Sequence, residues 1–384
     1  MIYLDNNATT RIHPDVVAAM LPFLSEDYGN PSSVHPMGQQ ARQAVEEARR
    51  QTASLLSCRA TEVVFTSGGT EADNAAILGV LQARPDKKTI VTSAVEHSAV
   101  RETLQYAVKF GWRVVEIPVD SAGQLDMPAL EKALQNPDVA LASIIWGNNE
   151  TGVLFDIHAI GTLARKFGVP LHVDAVQVAG KFPIRFSDLP VDLLAVSAHK
   201  FHGPKGVGAL IVRRGTRWQP FIHGGPQETD RRGGTENVAG IVGMGAAAIY
   251  VGTWLCDLRN AQKITQLRDR LQQGILAAIP ETCVNGDQHH RLYNTANIGF
   301  AALEAEAILL LLSQQEICAS AGAACSSGSL EPSHVLKAMH VPDRYAHGSI
   351  RFSFSEFNTD DDVDQTLAAL PGIIEKLRKV LPVA

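Results

Sequence analysis

Between residues 60 and 215 the sequence alternates short apolar runs with longer amphipathic stretches. The apolar runs are EVVFTS, TIVTS, WRVVEIPV, ALASIIW, PLHVDAVQ, LLAVSA and GALIVRR. Most are separated by helical patterns such as TEADNAAILGVLQ, AVRETLQYAVKFG, DMPALEKALQ and IHAIGTLARKFG. This βαβ rhythm predicts an α/β fold, a mostly parallel sheet with helices on both faces. Because GALIVRR follows LLAVSA too closely for a crossover helix, we expect one antiparallel edge.

The pattern changes after this region. From about residue 236 to 280 it is helical, and then NTANIGF, AEAILLLLSQ, SHVLKAM, SIRFSFS and a final helix predict a smaller α+β unit. We therefore predict a large domain at 16–259, and a small domain made of 1–15 and 260–384.

Charge and hydropathy narrow the class of protein. The chain has 384 residues and a formal net charge of −6, which argues against a broad basic surface for nucleic acid. We expect no run of about 18 apolar residues that could span a membrane, and MIYLDNNATT lacks the pattern of a signal peptide. These features predict a cytoplasmic protein.

The cysteines indicate a reducing compartment. There are five, with no CxxC pair and no regular spacing, which argues against structural zinc, and we predict no metal site. Four are expected to be buried as small apolar side chains. These are Cys58, Cys256, Cys283 and Cys318.

Polar residues follow five of the apolar runs. The segments are TSGGTEADN, AVEH, GNNETG, DAVQ and SAHK. Each alone could be an ordinary turn or helix cap, as Asp174 could be. Because ligands gather at the carboxyl ends of parallel strands, the five together predict a ligand site.

The chemistry of these segments predicts a small phosphorylated cofactor. SGGTEADN places two glycines and Thr70 at a helix start, where free amides bind phosphate, but it lacks the lysine of a nucleotide-binding P-loop. GMGAAA at 243–248 matches a dinucleotide motif only loosely. Lys200 can form a Schiff base with an aldehyde, and Asp174 can hold a pyridine nitrogen protonated. We therefore predict pyridoxal 5′-phosphate, although Lys200 alone could be a surface lysine.

The whole chain resembles the cysteine desulfurases, which belong to the class V aminotransferase group. The resemblance rests on ten ordered blocks: LDNNATT (4–10), GNPSS (29–33), FTSGGTEADN (65–74), EHSAV (96–100), NNETG (148–152), HVDAVQ (172–177), SAHKFHGPKG (197–206), RRGGTENV (231–238), SAGAACSSGSLEPSHVL (320–336) and SIRFS (349–353). It implies an aspartate-aminotransferase-like fold, the type I fold of pyridoxal-phosphate enzymes.

The resemblance also implies a role for each matching cofactor residue. Lys200 would be the Schiff-base lysine and Asp174 the partner of the pyridinium nitrogen. Gln177 would bond to the ring hydroxyl, and His97 would stack on the ring and move protons. The phosphate would be held by Gly69, Thr70, Ser197 and His199, and by Thr235 of the other subunit of a homodimer.

The remaining roles concern the substrate. By resemblance, Asn149 lies near the ring hydroxyl and substrate, and Arg351 grips the substrate carboxylate. Cys325 would attack the sulfur of L-cysteine, leaving L-alanine and a persulfide on the enzyme. Its small, glycine-rich surroundings predict a mobile loop. The sulfur would pass to an acceptor protein, such as an iron–sulfur scaffold.

Two features depart from the family pattern. HGGPQE at 223–228 has Pro226 where a third glycine is expected, so the local backbone is expected to differ. The sequence ends at LRKVLPVA without the longer tail of the housekeeping members, which favours the nitrogen-fixation branch.

Three alternatives stay open at this point. A class V aminotransferase would share Lys200 and Asp174 but has no use for a mobile Cys325. A selenocysteine lyase would differ only in its substrate. A non-catalytic sulfur or iron–sulfur scaffold would keep the fold without binding the cofactor.

Overall fold

The computed structural model describes residues 1–322 and 331–380 and has an α/β architecture. In chain order the described strands are β1 (Ile2–Tyr3), β2 (Val63–Thr66), β3 (Thr89–Ser93), β4 (Arg113–Ile117), β5 (Val139–Ile145), β6 (Leu171–Asp174), β7 (Leu193–Ser197), β8 (Gly208–Val212), β9 (Thr282–Val284), β10 (Thr295–Phe300), β11 (Ile317–Cys318) and β12 (Ser349–Ser353).

The described helices connect and cover these strands. In chain order they are α1 (Pro14–Met20), α2 (Pro22–Ser25), α3 (Pro36–Leu56), α4 (Gly69–Ala83), α5 (Ser98–Val108), α6 (Met127–Leu134), α7 (Ile157–Lys166), α8 (Gln227–Asp230), α9 (Val238–Leu255), α10 (Leu258–Ala278), α11 (Ala305–Gln314), α12 (His334–Ala338), α13 (Asp343–Ala346) and α14 (Asp360–Val380). Short 3₁₀ turns lie at Ala60–Glu62 and Ala198–Lys200.

The predicted large sheet is confirmed, and each of the seven apolar runs forms one of its strands. The strand order is β2-β8-β7-β6-β5-β3-β4. Strands β3 to β7 pair in parallel, whereas β8 is antiparallel to both of its neighbours. The antiparallel strand lies one position inside the edge, because β2 pairs with its outer side. The carboxyl ends of β2 and of the parallel strands therefore meet at one edge.

Both faces of this sheet are buried, as expected for helices packed on each side. In β7, Leu193 and Ala195 contribute to one apolar cluster, while Leu194 and Val196 contribute to the other. All four residues are buried, so the strand is a continuous apolar run. This two-sided burial is typical of a parallel sheet.

One helix corrects a prediction from the sequence. In the part of the chain that is described, α9 is 18 residues long and apolar enough to cross a membrane by length and composition alone, although half of it is buried inside the protein. A Cβ on Gly245 would lie 2.7 Å from Cα of Ala48 in α3. The small residues of GMGAAA therefore allow close helix packing. Such a helix is weak evidence for a membrane span.

The C-terminal part forms a second packed unit. Its sheet has the order β12-β10-β9 with antiparallel pairing, and β1 pairs in parallel with β11. Ile2 and Leu4 share its apolar core with residues such as Leu267 and Ile374. This packing supports the division into 16–259 and 1–15 with 260–384, which stays a prediction.

The prediction that four cysteines are buried is wrong. Cys256 is exposed, because it caps the carboxyl end of α9, and Cys58, Cys283 and Cys318 are only partly buried. These four cysteines are free thiols. Within residues 1–322 and 331–380, no cluster of histidine, cysteine, aspartate and glutamate could hold a metal ion.

Candidate active site

A cavity of about 450 Å³ opens at the carboxyl edge of the large sheet. Ten predicted site residues line it: Gly69, Thr70, His97, Asn149, Asp174, Gln177, Ser197, His199, Lys200 and Arg351. They come from the ends of different strands, together with β12 of the smaller sheet. The fold therefore brings these side chains together, as the positions after the apolar runs predict.

The first turn of α4 has the geometry of an anion site. No side chain caps this helix, and Gly68 before it has φ 155° and ψ −176°, a conformation open essentially to glycine. A Cβ on Gly69 would lie 2.7 Å from Cγ2 of Val176 and 3.6 Å from Cβ of Ser197. Only glycine fits here without a shift of the neighbouring side chains. The uncapped amides and the helix dipole can bind a phosphate.

His199 lies beside this site as a neutral side chain. Burial and the positive charge of Lys200 lower the pKa of His199 to about 4. Its Nδ1 lies 3.2 Å from the hydroxyl of Thr9. At neutral pH, His199 can therefore form hydrogen bonds without adding charge to the cavity.

Lys200 ends the 3₁₀ turn after β7, and its ammonium contacts the N-terminal segment. Nζ donates to the carbonyl oxygens of Asn7 at 2.6 Å and Ala8 at 2.8 Å. The Gln177 amide also donates to the Asn7 carbonyl, at 2.9 Å. The N-terminal segment therefore forms the wall of the cavity next to Lys200.

Asn7 is a central residue of the site that the sequence did not reveal. Its side chain donates to the Asn149 carbonyl at 3.2 Å and to the Thr295 hydroxyl at 2.9 Å, and accepts from Asn294 at 3.1 Å. Its backbone N–H donates to the hydroxyl of Ser353. Asn7 thus joins the small sheet to the cavity. The resembling block LDNNATT was its only signal, because this segment has no periodic pattern.

Asp174 and His97 differ in their electrostatic environment. Burial raises the pKa of the Asp174 carboxyl, while nearby His97 and Lys200 oppose this shift. Burial lowers the pKa of His97, with Asp174 opposing the shift. Nδ1 of His97 accepts from the N–H of Ala99 at 3.1 Å. A neutral His97 therefore carries its proton on Nε2, and that nitrogen is the one that can exchange protons with a ligand.

Two further carboxyl groups lie buried near Asp174. Burial raises the pKa of Glu96 to about 8, and the charge of Asp174 acts in the same direction. Asp73 lies 3.4 Å from Nε2 of His172, whose pKa burial lowers to about 3. Burial and Asp174 also raise the pKa of Asp73. Both carboxyls are thus disfavoured as anions, which limits the negative charge around Asp174. Their sequence context gave no signal beyond the resemblance.

Arg351 is buried on β12 and already has protein partners. Its Nη2 donates to Asp5 at 2.6 Å, and its Nη1 donates to the Asn149 carbonyl at 2.8 Å. Nε of Arg351 has no hydrogen-bond partner among the described residues. A substrate carboxylate at this guanidinium would therefore share it with Asp5.

The chain reaches the cavity on both sides of residues 323–330. Gly322 and His334 line the cavity, and the hydroxyl of Ser333 donates to the buried carboxyl of Glu150 at 2.6 Å. Burial raises the pKa of Glu150. The predicted nucleophile, Cys325, lies outside the described residues.

Thr235 does not line this cavity. It is exposed, in the segment that precedes α9. The same segment is tied to the anion site through Arg232, whose Nε and Nη2 donate to Glu71 in the first turn of α4 at 2.9 and 3.1 Å. The predicted contact of Thr235 with the other subunit stays a prediction.

The short segment α8 after Pro226 is not a regular α-helix, because its backbone turns left-handed. Glu228, Thr229 and Asp230 have φ values of 49°, 58° and 61°, which are costly for residues other than glycine. The carboxylate of Glu228 accepts from Nη1 and Nη2 of Arg49 at 2.6 and 2.7 Å, and both side chains are buried. This bidentate pair holds the left-handed turn in place.

The comparisons with known proteins agree with this architecture. Residues 2–366 match the family model described as "Aminotransferase class-V", and the chain belongs to that family. Within the family it groups with the cysteine desulfurases. It is 50% identical to "Cysteine desulfurase 2" of Trichormus variabilis (strain ATCC 29413 / PCC 7937), over 100% of this chain and 95% of the relative.

Solved structures of similar proteins have the same type of fold. A "NIFS-LIKE PROTEIN" is similar with a TM-score of 0.92 and 37% identity, covering 98% of this chain and 100% of the other. A structure described as "SspA in complex with cysteine" has a TM-score of 0.83 and 30% identity, covering 94% of this chain and 100% of the other. These likenesses confirm the predicted type of fold.

Proposed function

We propose that this protein is a pyridoxal-phosphate-dependent enzyme that converts L-cysteine to L-alanine and transfers the sulfur through a persulfide on Cys325. The observation that carries the proposal is the arrangement of three features around one cavity. They are the amine of Lys200, the buried carboxyl of Asp174 and the uncapped start of α4. An aldehyde carbon, a ring nitrogen and a phosphate are the chemical groups that these three features complement.

The residues of the cavity fit the cofactor. Gly69 and Thr70 would hold the phosphate with Ser197 and His199, because a side chain at position 69 would close this space. Asp174 would pair with the ring nitrogen. When bound, the cofactor supplies an electron sink for the carbon next to the substrate's carboxylate.

The protein's own groups would handle the proton and the substrate. Lys200 would take the proton from the substrate carbon, and Nε2 of His97 would exchange protons near the ring. Arg351 would bind the carboxylate of the substrate, and Asn149 would lie close by. Excluding water around Arg351 strengthens this charge pairing, since the guanidinium is 2% exposed.

We place the enzyme in the cytoplasm with a sulfur-acceptor protein as its partner, of which an iron–sulfur scaffold is the expected kind. A reducing compartment keeps the thiol of Cys325 in the state that attacks sulfur. The names of the similar proteins, "Cysteine desulfurase 2" and "NIFS-LIKE PROTEIN", support the transfer of sulfur to an acceptor and do not bear on the compartment.

Incubation of the purified protein with L-cysteine and a reductant tests the proposed reaction. We expect alanine and sulfide to form in equal amounts, without any keto acid, because the substrate loses sulfur and keeps its amino group. Alanine that appeared only when a keto acid was added would instead indicate an aminotransferase. A parallel reaction with L-selenocysteine shows which of the two substrates the enzyme prefers, and so distinguishes it from a selenocysteine lyase. A colourless protein that binds no cofactor would instead indicate a scaffold.

We also propose a homodimer in which Thr235 contacts the cofactor phosphate of the other subunit. Thr235 is exposed in its own chain and does not line its own cavity. One neutral hydroxyl contributes about 0.5–1.5 kcal/mol, so we expect Thr235→Ala to weaken cofactor retention without unfolding the protein.

A mixed dimer tests which subunit supplies the hydroxyl. The double variant Thr235→Ala, Lys200→Ala is exchanged with wild type, so the only site with Lys200 must take Thr235 from the defective partner. We expect this site to lose cofactor as fast as the Thr235→Ala homodimer does. Cofactor retention at the wild-type level in this mixed dimer would show that Thr235 acts within its own subunit.

A further inference from the structure

Lys181 is a buried lysine to which neither the sequence nor the proposed reaction gives a role. It is 7% exposed. Its Nζ donates to the carbonyl oxygen of Gln177 at 3.0 Å and to the side-chain Oε1 of Gln177 at 3.2 Å. No described carboxylate forms an ion pair with Lys181. Burial and the positive charges of Lys200 and Arg351 lower its pKa to about 7.

An amine in this position is unfavourable for folding. Burial of a charged group is costly unless an opposite charge compensates it, and the nearby charged groups that act on Lys181 are cations. An apolar side chain of similar length would avoid this cost. Residues that break a local rule of stability are commonly retained at functional sites.

The contacts of Lys181 determine which end of the Gln177 amide faces the cavity. The Lys181 amine donates hydrogen bonds, so the oxygen end of the Gln177 amide faces this amine. The amide nitrogen faces the Asn7 carbonyl, at 2.9 Å. Asn7 and Gln177 line the cavity, whereas Lys181 is not among its lining residues. The nitrogen end therefore lies on the cavity side, with a second N–H for a ligand.

We propose that Lys181 is a positioning residue that fixes the Gln177 amide so that its nitrogen donates to the ring oxygen of the cofactor. The inference rests on the proposed cofactor. It goes further, because it says that a residue outside the cavity, Lys181, determines which end of the Gln177 amide faces the cofactor. A donor at the ring oxygen stabilises negative charge there. With the cofactor bound, that charge would be larger once the Schiff base with Lys200 had lost its proton, so a donor from Gln177 would favour the deprotonated form.

The test is an absorbance titration of the cofactor-loaded protein. We expect Lys181→Met to raise the pH of the colour transition by about one unit, a roughly tenfold change in the protonation equilibrium. Gln177→Met is expected to raise it similarly. Because Lys181 acts through Gln177, the double variant should match Gln177→Met alone. Lys181→Arg, which keeps a donor, should restore most of the wild-type value.

The titration also needs to separate this contact from a general charge effect. Lys200 and Arg351 act on the charge of Lys181, whose own charge acts on His199 and His202. Glu356 lines the same small cavity as Lys181. If the shift of Lys181→Met persisted in full in the Gln177→Met background, its charge would act through space and the proposal would be wrong. Absence of any shift in Lys181→Met would overturn it equally.

Two controls accompany the titration. Lys205→Met removes an exposed lysine from the turn that follows Lys200 and should leave the transition unchanged. Thermal unfolding of the cofactor-free Lys181→Met protein should occur at the same or a higher temperature than wild type, because an uncompensated buried amine is lost. A wild-type protein that forms no chromophore at all would contradict the proposed cofactor itself, and this inference with it.

Discussion

Replacement of Lys200 by alanine is expected to remove both the yellow colour of the purified protein and its desulfuration activity. Lys200 ends the turn after β7, and among the described residues it is the lysine that lines the cavity beside the α4 anion site. Without this amine no covalent adduct with the cofactor forms and the proton-transfer group is lost. We expect the rate to fall by about a thousandfold or more. The absorbance spectrum and sulfide release measure the two effects.

The Lys200→Ala protein should still fold. Loss of the Lys200 amine leaves the Asn7 and Ala8 carbonyls next to an open cavity, where water can hydrate them. The matched control is Lys205→Ala, an exposed lysine in the same segment that should retain colour and activity. Full activity in Lys200→Ala would refute the assignment of the cofactor.

A Cys325→Ala variant should separate substrate binding from sulfur removal. Asp174, Lys200 and Arg351 are unchanged in it, so we expect addition of L-cysteine to change the absorbance spectrum as in wild type. Sulfide and alanine formation should fall by about a hundredfold or more, because no thiolate attacks the substrate sulfur. A rapid spectral change followed by no product would be the measured result.

Cys318→Ala is the matched control for this experiment. Cys318 is a partly buried residue of β11, seven positions earlier in the sequence, and its backbone pairs with Tyr3. Its removal should leave desulfuration intact. If Cys318→Ala lost sulfide release and Cys325→Ala kept it, the nucleophile would be wrongly assigned.

The sequence predicted the large sheet well because its strands are local apolar patterns. Burial on both faces produces continuous runs such as LLAVS, and these are visible without any knowledge of tertiary contacts. The position of β8 was less well predicted. Its antiparallel direction follows from the short connection to β7, but its neighbour β2 comes from more than a hundred residues earlier.

The contacts that complete the site could not be predicted from local patterns. The pairs Lys200–Asn7, Arg351–Asp5 and Arg49–Glu228 join residues that are 193, 346 and 179 positions apart. No periodic pattern of apolar residues in the sequence predicts such contacts. The left-handed turn at Glu228 was equally hidden, since three successive residues other than glycine rarely adopt that conformation. Pro226, through its departure from the family pattern, predicts that this backbone differs from that of the family, and that difference stays a prediction.

The N-terminal wall of the cavity has a consequence for the order of events during synthesis. Ile2 and Tyr3 pair with Ile317 and Cys318, and Asn7 bonds to residues 294, 295 and 353. The segment that carries Asn7 is therefore synthesised long before the residues on which it docks. A nascent chain can complete the large sheet first, yet the wall beside Lys200 is assembled only after β10 and β12 of the small sheet have been made.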